Sequence, residues 1–149
     1  MSPDAIRRPE DAQLRLRLHT GVAQMDRHHE RLIEMFGAAG DVLRAGGEAA
    51  ALAKIVGELI AYSIYHFDSE EALMKLHGYG AEFPEAMADH IYQHRIFAGK
   101  VVGFRDDLKA GRVVDRWNIL DFLNSWLLNH IDTTDRRLAQ FIRSRETAA

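Results

Sequence analysis

Eight histidines, at positions 19, 28, 29, 66, 77, 90, 94 and 130, stand in a chain of 149 residues that has no cysteine. His66 precedes Glu70 by four residues and His90 precedes His94 by four. On a helix each pair stacks on one face a turn apart, so both side chains can reach a common point. His130 and Asp135 are five apart. That spacing leaves their Cα–Cβ vectors roughly 140° apart on an ideal helix, so a joint role needs a π-type widening or a tilted axis. Imidazole and carboxylate together bind metal ions, and without thiols any metal here must take nitrogen and oxygen ligands.

The elements that carry these residues are helices. Glycine and proline punctuation at "RAGGE" (44–48), "HGYGAEFPE" (77–85) and "KAGRVVD" (109–115) leaves four segments, roughly 21–45, 48–77, 84–110 and 115–143. Met25, Leu32, Phe36 and Leu43 recur at helical spacing in the first. Trp117, Leu120, Leu123, Leu127, Ile131, Leu138 and Phe141 do so in the last. Pro84 suits the first turn of the third helix and Asp115 the N-cap of the fourth. Short connections make neighbours antiparallel, so the expected fold is an all-α, up-down-up-down four-helix bundle. Residues 1–20 are expected to form an N-terminal arm, 21–143 the bundle and 144–149 a frayed tail. "RLRL" (15–18) and His19 are expected on the outside.

That topology brings the candidates to one level. His29 precedes Gly46 by about 17 residues and His66 follows Gly47 by about 19, while His94 precedes Gly111 by about 17 and His130 follows Asp115 by about 15. At roughly 1.5 Å per residue the mismatch is a few ångströms. Five histidines and two carboxylates exceed what one octahedral ion can take. Two ions sharing Glu70 and Asp135 as bridges account for all of them, with three imidazoles on one ion and two on the other. If a solvent oxygen also bridges, one position stays open on the ion with two histidines. Such ligation suits iron, although the affinity order also admits zinc, cobalt or manganese.

Bulk composition excludes several other classes. Hydrophobic residues at 47% and charged residues at 28% describe a globular chain with no apolar run long enough to cross a bilayer. A net charge of -3 gives no basic face for nucleic acid. Arg7-Arg8 lacks the apolar stretch that an export signal requires after it, so a cytoplasmic protein is expected.

The stretches "MDRHHERL", "HFDSEEALM", "HGYGAEFPEAMADHIYQH" and "WLLNHIDTTD" resemble the hemerythrins, and specifically the bacteriohemerythrins, whose pattern is H…HxxxE…HxxxH…HxxxxD. The resemblance runs from about Gly21 to Phe141 and fills every ligand position. It implies that His90, His94 and His130 hold a saturated iron, that His29 and His66 hold an open one, and that Glu70 and Asp135 bridge them, with an oxo or hydroxo bridge between the ions. It also implies reversible binding of dioxygen. By that resemblance the bridge proton would move to the bound ligand on oxygenation, so that no net charge would enter the bundle core. Position 28 is more often glutamine in the family; His28 departs from that and is expected to be a solvated neighbour. His19 and His77 have no ligand role in the pattern.

Oxygen-activating di-iron bundles carry Glu-x-x-His motifs and four carboxylates; here no histidine has a glutamate three residues before it. The leading expectation is therefore an oxygen carrier, store or delivery protein rather than an enzyme. Its rivals are a redox enzyme handling peroxide or nitric oxide and a sensor of oxygen or iron. The sequence shows no donor or signalling domain for either. The open position should face an apolar pocket, for which Leu127, Leu32 and Ile33 are the candidates by helical direction. Periodicity does not fix the facing of Trp126 and Phe67. Asp26, Asp89 and Gln93 are within reach of the outer imidazole nitrogens.

Overall fold

The computed structural model describes residues 16 and 18–148. The expected arm therefore lies outside the described residues, apart from Leu16 and residues 18–20. From residue 23 on, the described residues form six α-helices in order: α1 (Ala23–Arg44), α2 (Ala49–His77), α3 (Tyr79–Glu82), α4 (Pro84–Lys109), α5 (Arg116–Asn129) and α6 (Arg136–Ala148). A π-helical segment, His130–Asp135, joins α5 to α6 without a break. The four long rods α1, α2, α4 and α5–α6 form an antiparallel up-down-up-down bundle, with α1 packed on α2, α2 on α4 and α5 on α1.

The helix ends follow from local chemistry. Gly78 at φ 75 closes α2 in the left-handed conformation, where its N–H meets the carbonyls of Lys75 and Met74. Pro84 opens α4. Asp115 caps α5 by accepting from the N–H groups of Trp117 and Asn118 at 3.1 and 3.2 Å. Asp26, in the first turn of α1, accepts from Thr20 N at 2.8 Å, Thr20 Oγ1 at 2.7 Å and Gly21 N at 3.1 Å, and so straps residues 18–21 onto the bundle.

Two apolar clusters fill the interior. The larger one holds Phe36, Leu52, Val56, Leu59, Val101 and Leu123 and occupies the body of the bundle. The smaller one gathers Met25, Met74, Tyr79, Leu138, Phe141 and Ile142 at the end. On α1 His29 lies between Met25 and Leu32, and on the last rod His130 and Asp135 lie between Leu127 and Leu138, so apolar residues of the two clusters flank the polar layer on both sides.

Three local expectations differ. "HGYGAEFPE" contains a helical turn, α3, because burying Tyr79 gives that turn a core contact. Trp117 is exposed, lying in the first turn of α5 before the core begins. Residues 144–147 continue α6: Ser144 Oγ bonds back to Phe141 O at 2.7 Å, and Arg145 pairs with Glu82 at 3.1 Å.

Candidate metal centre

Each rod contributes to one buried cluster: α1 gives His29, α2 gives His66 and Glu70, α4 gives His90 and His94, and the last rod gives His130 and Asp135. Their donor atoms fall into two overlapping groups. One comprises Glu70, His90, His94, His130 and Asp135; the other comprises His29, His66, Glu70 and Asp135; within each, the donor atoms lie within 4.8 Å of one another. Glu70 and Asp135 belong to both. Asp135 Oδ2 faces His29 Nε2 at 2.8 Å while its Oδ1 faces His90 and His130 Nε2 at 3.0 Å. Glu70 likewise turns Oε2 to His66 at 3.2 Å and Oε1 to His94 at 3.1 Å. The π-helical segment resolves the five-residue spacing: widening the turn brings Asp135 round to the side of His130.

The electrostatics test whether this donor set fits a metal. Burial works against charge on Glu70 and Asp135. Even so, the surrounding imidazoles, His66 foremost for Glu70 and His130 for Asp135, hold both carboxyls well below the usual carboxylate range. Burial also opposes charge on His29 and His90, but Asp135 and Glu70 outweigh it and push them up to about 10 and about 9. For His130 burial wins and its pKa is lowered. The carboxylates thus demand positive charge in the middle of the layer. Yet His29 Nε2, His90 Nε2, His94 Nε2, His130 Nε2 and all four carboxylate oxygens are buried and make no aligned hydrogen bond among the described residues. Buried polar atoms left so are costly. Atoms that converge without pairing fit divalent cations between them.

The outer nitrogens of three rings are held in turn, whereas Nδ1 of His29 and of His90 has no hydrogen-bond partner among the described residues. With Nε2 given to a metal ion, Nδ1 would carry the ring proton. His130 Nδ1 donates to Gln93 Oε1 at 2.8 Å, and that amide is anchored by Thr134 Oγ1 at 3.0 Å and by its own bond to Asp89 Oδ2 at 2.8 Å. His94 Nδ1 donates to Glu71 Oε2 at 3.2 Å. His66 Nδ1 meets His28 Nδ1 at 3.1 Å. Of the acceptors expected from sequence, Gln93 serves directly, Asp89 serves through Gln93, and Asp26 is taken up by the strap. His28 corrects the expectation of a solvated neighbour: it is 8% exposed and lies edge-on to the ring of Tyr62. Sequence spacing does not single out Glu71, although its place beside Glu70 puts it on the adjoining face of α2.

A narrow apolar pocket abuts the cluster. Leu32 and Leu127 line it with Phe36, Phe97, Trp126 and Phe67, and it reaches His66, His130 and Asp135. Phe67 stacks on His94 with centroids 4.0 Å apart, and Trp126 on His130 at 4.3 Å, which settles their facing. Ile33 is not in this wall. It lines a separate small cavity, of about 30 Å³, with Leu18, Asp26 and the far side of His29, because it is turned toward the strap.

An all-α bundle with two overlapping nitrogen and oxygen donor sets buried at one level is a four-helix bundle whose site suggests metal binding. Residues 20–142 match the family model described as the Hemerythrin HHE cation binding domain. The chain is 34% identical over 126 residues to a bacteriohemerythrin of Pseudomonas paraeruginosa, covering 85% of this chain and 78% of that one. It is 30% identical over 112 residues to myohemerythrin-1 of Phascolopsis gouldii, covering 74% and 77%. A crystal structure of wild-type hemerythrin superposes with a TM-score of 0.73 at 27% identity, over 83% of this chain and 90% of that one. The chain belongs to the hemerythrin family. Family and cluster together suggest a metal site of the non-haem di-iron type. No helix among the described residues is long and apolar enough to cross a membrane.

Proposed function

We propose that this protein binds dioxygen reversibly at a non-haem di-iron centre and acts as a cytoplasmic oxygen carrier, store or delivery protein. The observation that carries the reading is the sharing of Glu70 and Asp135 between two donor sets of unequal size. His90, His94 and His130 would hold one ion, His29 and His66 the other, and the two carboxylates would bridge them. The set with two imidazoles has one donor residue fewer than the other, so the ion it would hold would keep a position for a ligand.

When bound, the iron pair supplies the electrons that dioxygen borrows and returns. The chain's own residues make that loan reversible. Two carboxylates against five imidazoles give less anionic ligation than the four carboxylates of oxygen-activating bundles, and so favour the reduced ions. Gln93, Glu71 and His28 fix the rings so that Nε2 points inward. Leu32, Leu127 and the stacked rings of Phe67 and Trp126 keep water and its protons from the free position. The pocket is too narrow for a water-sized sphere, so a diatomic ligand enters as these side chains move. Dioxygen is the partner in this reading, which gives no part to nucleic acid or a membrane.

The test is the absorption spectrum of iron-loaded, anaerobically reduced protein as oxygen is admitted and then swept out with argon. A ligand-to-iron charge-transfer band that appears and then vanishes is the expected result. Immediate, irreversible conversion to a diferric spectrum would move the function to a redox enzyme handling peroxide or nitric oxide, or to a sensor.

A further inference from the structure

The pocket beside His66 contains one hydroxyl, that of Ser63, which lies on α2 one turn before His66. Ser63 is 2% exposed, and its Oγ is buried without a hydrogen-bond partner among the described residues. Serine and threonine inside helices usually turn the hydroxyl back onto a carbonyl of the preceding turn. Ser69 does so onto Tyr65 O at 2.9 Å, Thr133 onto Asn129 O at 2.7 Å and Thr147 onto Arg143 O at 3.1 Å. Ser63 does not. A buried, unpaired hydroxyl is costlier than the alanine methyl that would fill the same space, and alanine is also the better helix former. A ligand in the pocket would supply the missing partner.

We infer that Ser63 Oγ donates a hydrogen bond to the small ligand that occupies this pocket, so that Ser63 biases the site toward ligands bearing negative charge on an acceptor atom. The inference rests on the di-iron reading, since His66 borders the coordination position left free there. It adds a hydroxyl donor to a wall whose other members outside the metal layer are leucine and aromatic rings, and its effect falls on small anions more than on neutral molecules of the same size.

The experiment is an equilibrium titration of the diferric protein with azide, a small anionic probe, for the parent, Ser63→Ala and Ser63→Thr. Iron content is measured on each sample, and melting temperature on each without azide. Ser63→Ala is expected to weaken azide binding about tenfold, the scale of one hydrogen bond to a charged acceptor, while the azide-free melting temperature stays level or rises. Ser63→Thr, which keeps the hydroxyl, is expected to stay within about threefold of the parent. Azide binding unchanged in Ser63→Ala would overturn the inference. So would a lowered melting temperature of its azide-free form, which would mark the hydroxyl as structural. A parent that takes up two irons but no azide defeats this inference alone, whereas one that takes up no iron pair defeats the di-iron reading beneath it.

Discussion

His28 Nδ1 lies 3.1 Å from His66 Nδ1, inside the bundle and across the α1–α2 interface. Only one of the two nitrogens can carry a proton in that contact. A metal ion on His66 Nε2 would leave the ring proton on Nδ1, making His66 the donor and His28 Nδ1 the acceptor in the loaded protein. His28 must then be uncharged, in keeping with the lowering of its pKa by burial and by the neighbouring His66. An outer partner of this kind fixes ring orientation and is typically worth 10–100-fold in metal affinity. His28→Ala is therefore expected to weaken metal binding about tenfold, and His28→Gln, whose amide oxygen can accept the same bond, to restore most of it. Competition with a chelator measures both; equal affinity in all three proteins would remove His28 from this role.

His66→Ala tests the ligand set itself. One of the two donor sets loses an imidazole and the other is untouched. Metal analysis after gel filtration should find the content falling from two ions per chain toward one. Two ions held as tightly as before would exclude His66 as a ligand.

Leu127 is 2% exposed and lines the pocket beside His130. Truncation to alanine should cost about 2–5 kcal/mol in stability. It should also speed autoxidation of the oxygenated protein several-fold, by giving water a path to the free position. Urea unfolding reports the first effect and the decay of the charge-transfer band the second. An unchanged decay rate would take Leu127 out of the barrier.

Acid and base each weaken the metal-free centre, through different groups. His29 and His90 are raised from 6.5 to about 10 and about 9, so the stability they contribute is complete below 6.5 and is lost as pH climbs to those values. Glu70 and Asp135 are depressed below 4.5 and 3.8, so their contribution is present above those values and is lost as pH falls through the folded ones. Metal must displace the protons on His29 and His90. Apparent metal affinity should therefore rise with pH from 6.5 to about 9, with proton release on loading. Calorimetry in buffers of different ionisation enthalpy counts those protons. A flat affinity over that range would show the two imidazoles already unprotonated.

The four rods and the height of the layer were legible because apolar periodicity and glycine breaks are local signals. Facing was less so. His28 and His29 are neighbours about 100° apart on α1, and which interface each meets depends on how α1 sits on α2. The same holds for Ile33, one position beyond Leu32, which turns to the strap while Leu32 turns to the pocket. Gln93 and Asp26 looked alike as candidate acceptors; the strap claims Asp26 through three donors on Thr20 and Gly21. Ser63 carries no signal in sequence, since a serine among apolar helical residues reads as a tolerated polar position.

The wide turn from His130 to Asp135 has a consequence beyond aiming a carboxylate. One residue inserted into a helix rotates everything after it by about 100°. The rod continues as α6, whose Leu138, Phe141 and Ile142 meet Met25, Met74 and Tyr79 in the end cluster. Straightening the segment to ordinary helical pitch would swing Asp135 out and turn that apolar stripe away in the same movement. The register of the final helix is thus set at the metal layer. Amides of α6 are therefore expected to exchange more slowly in the metal-loaded protein than in the metal-free one.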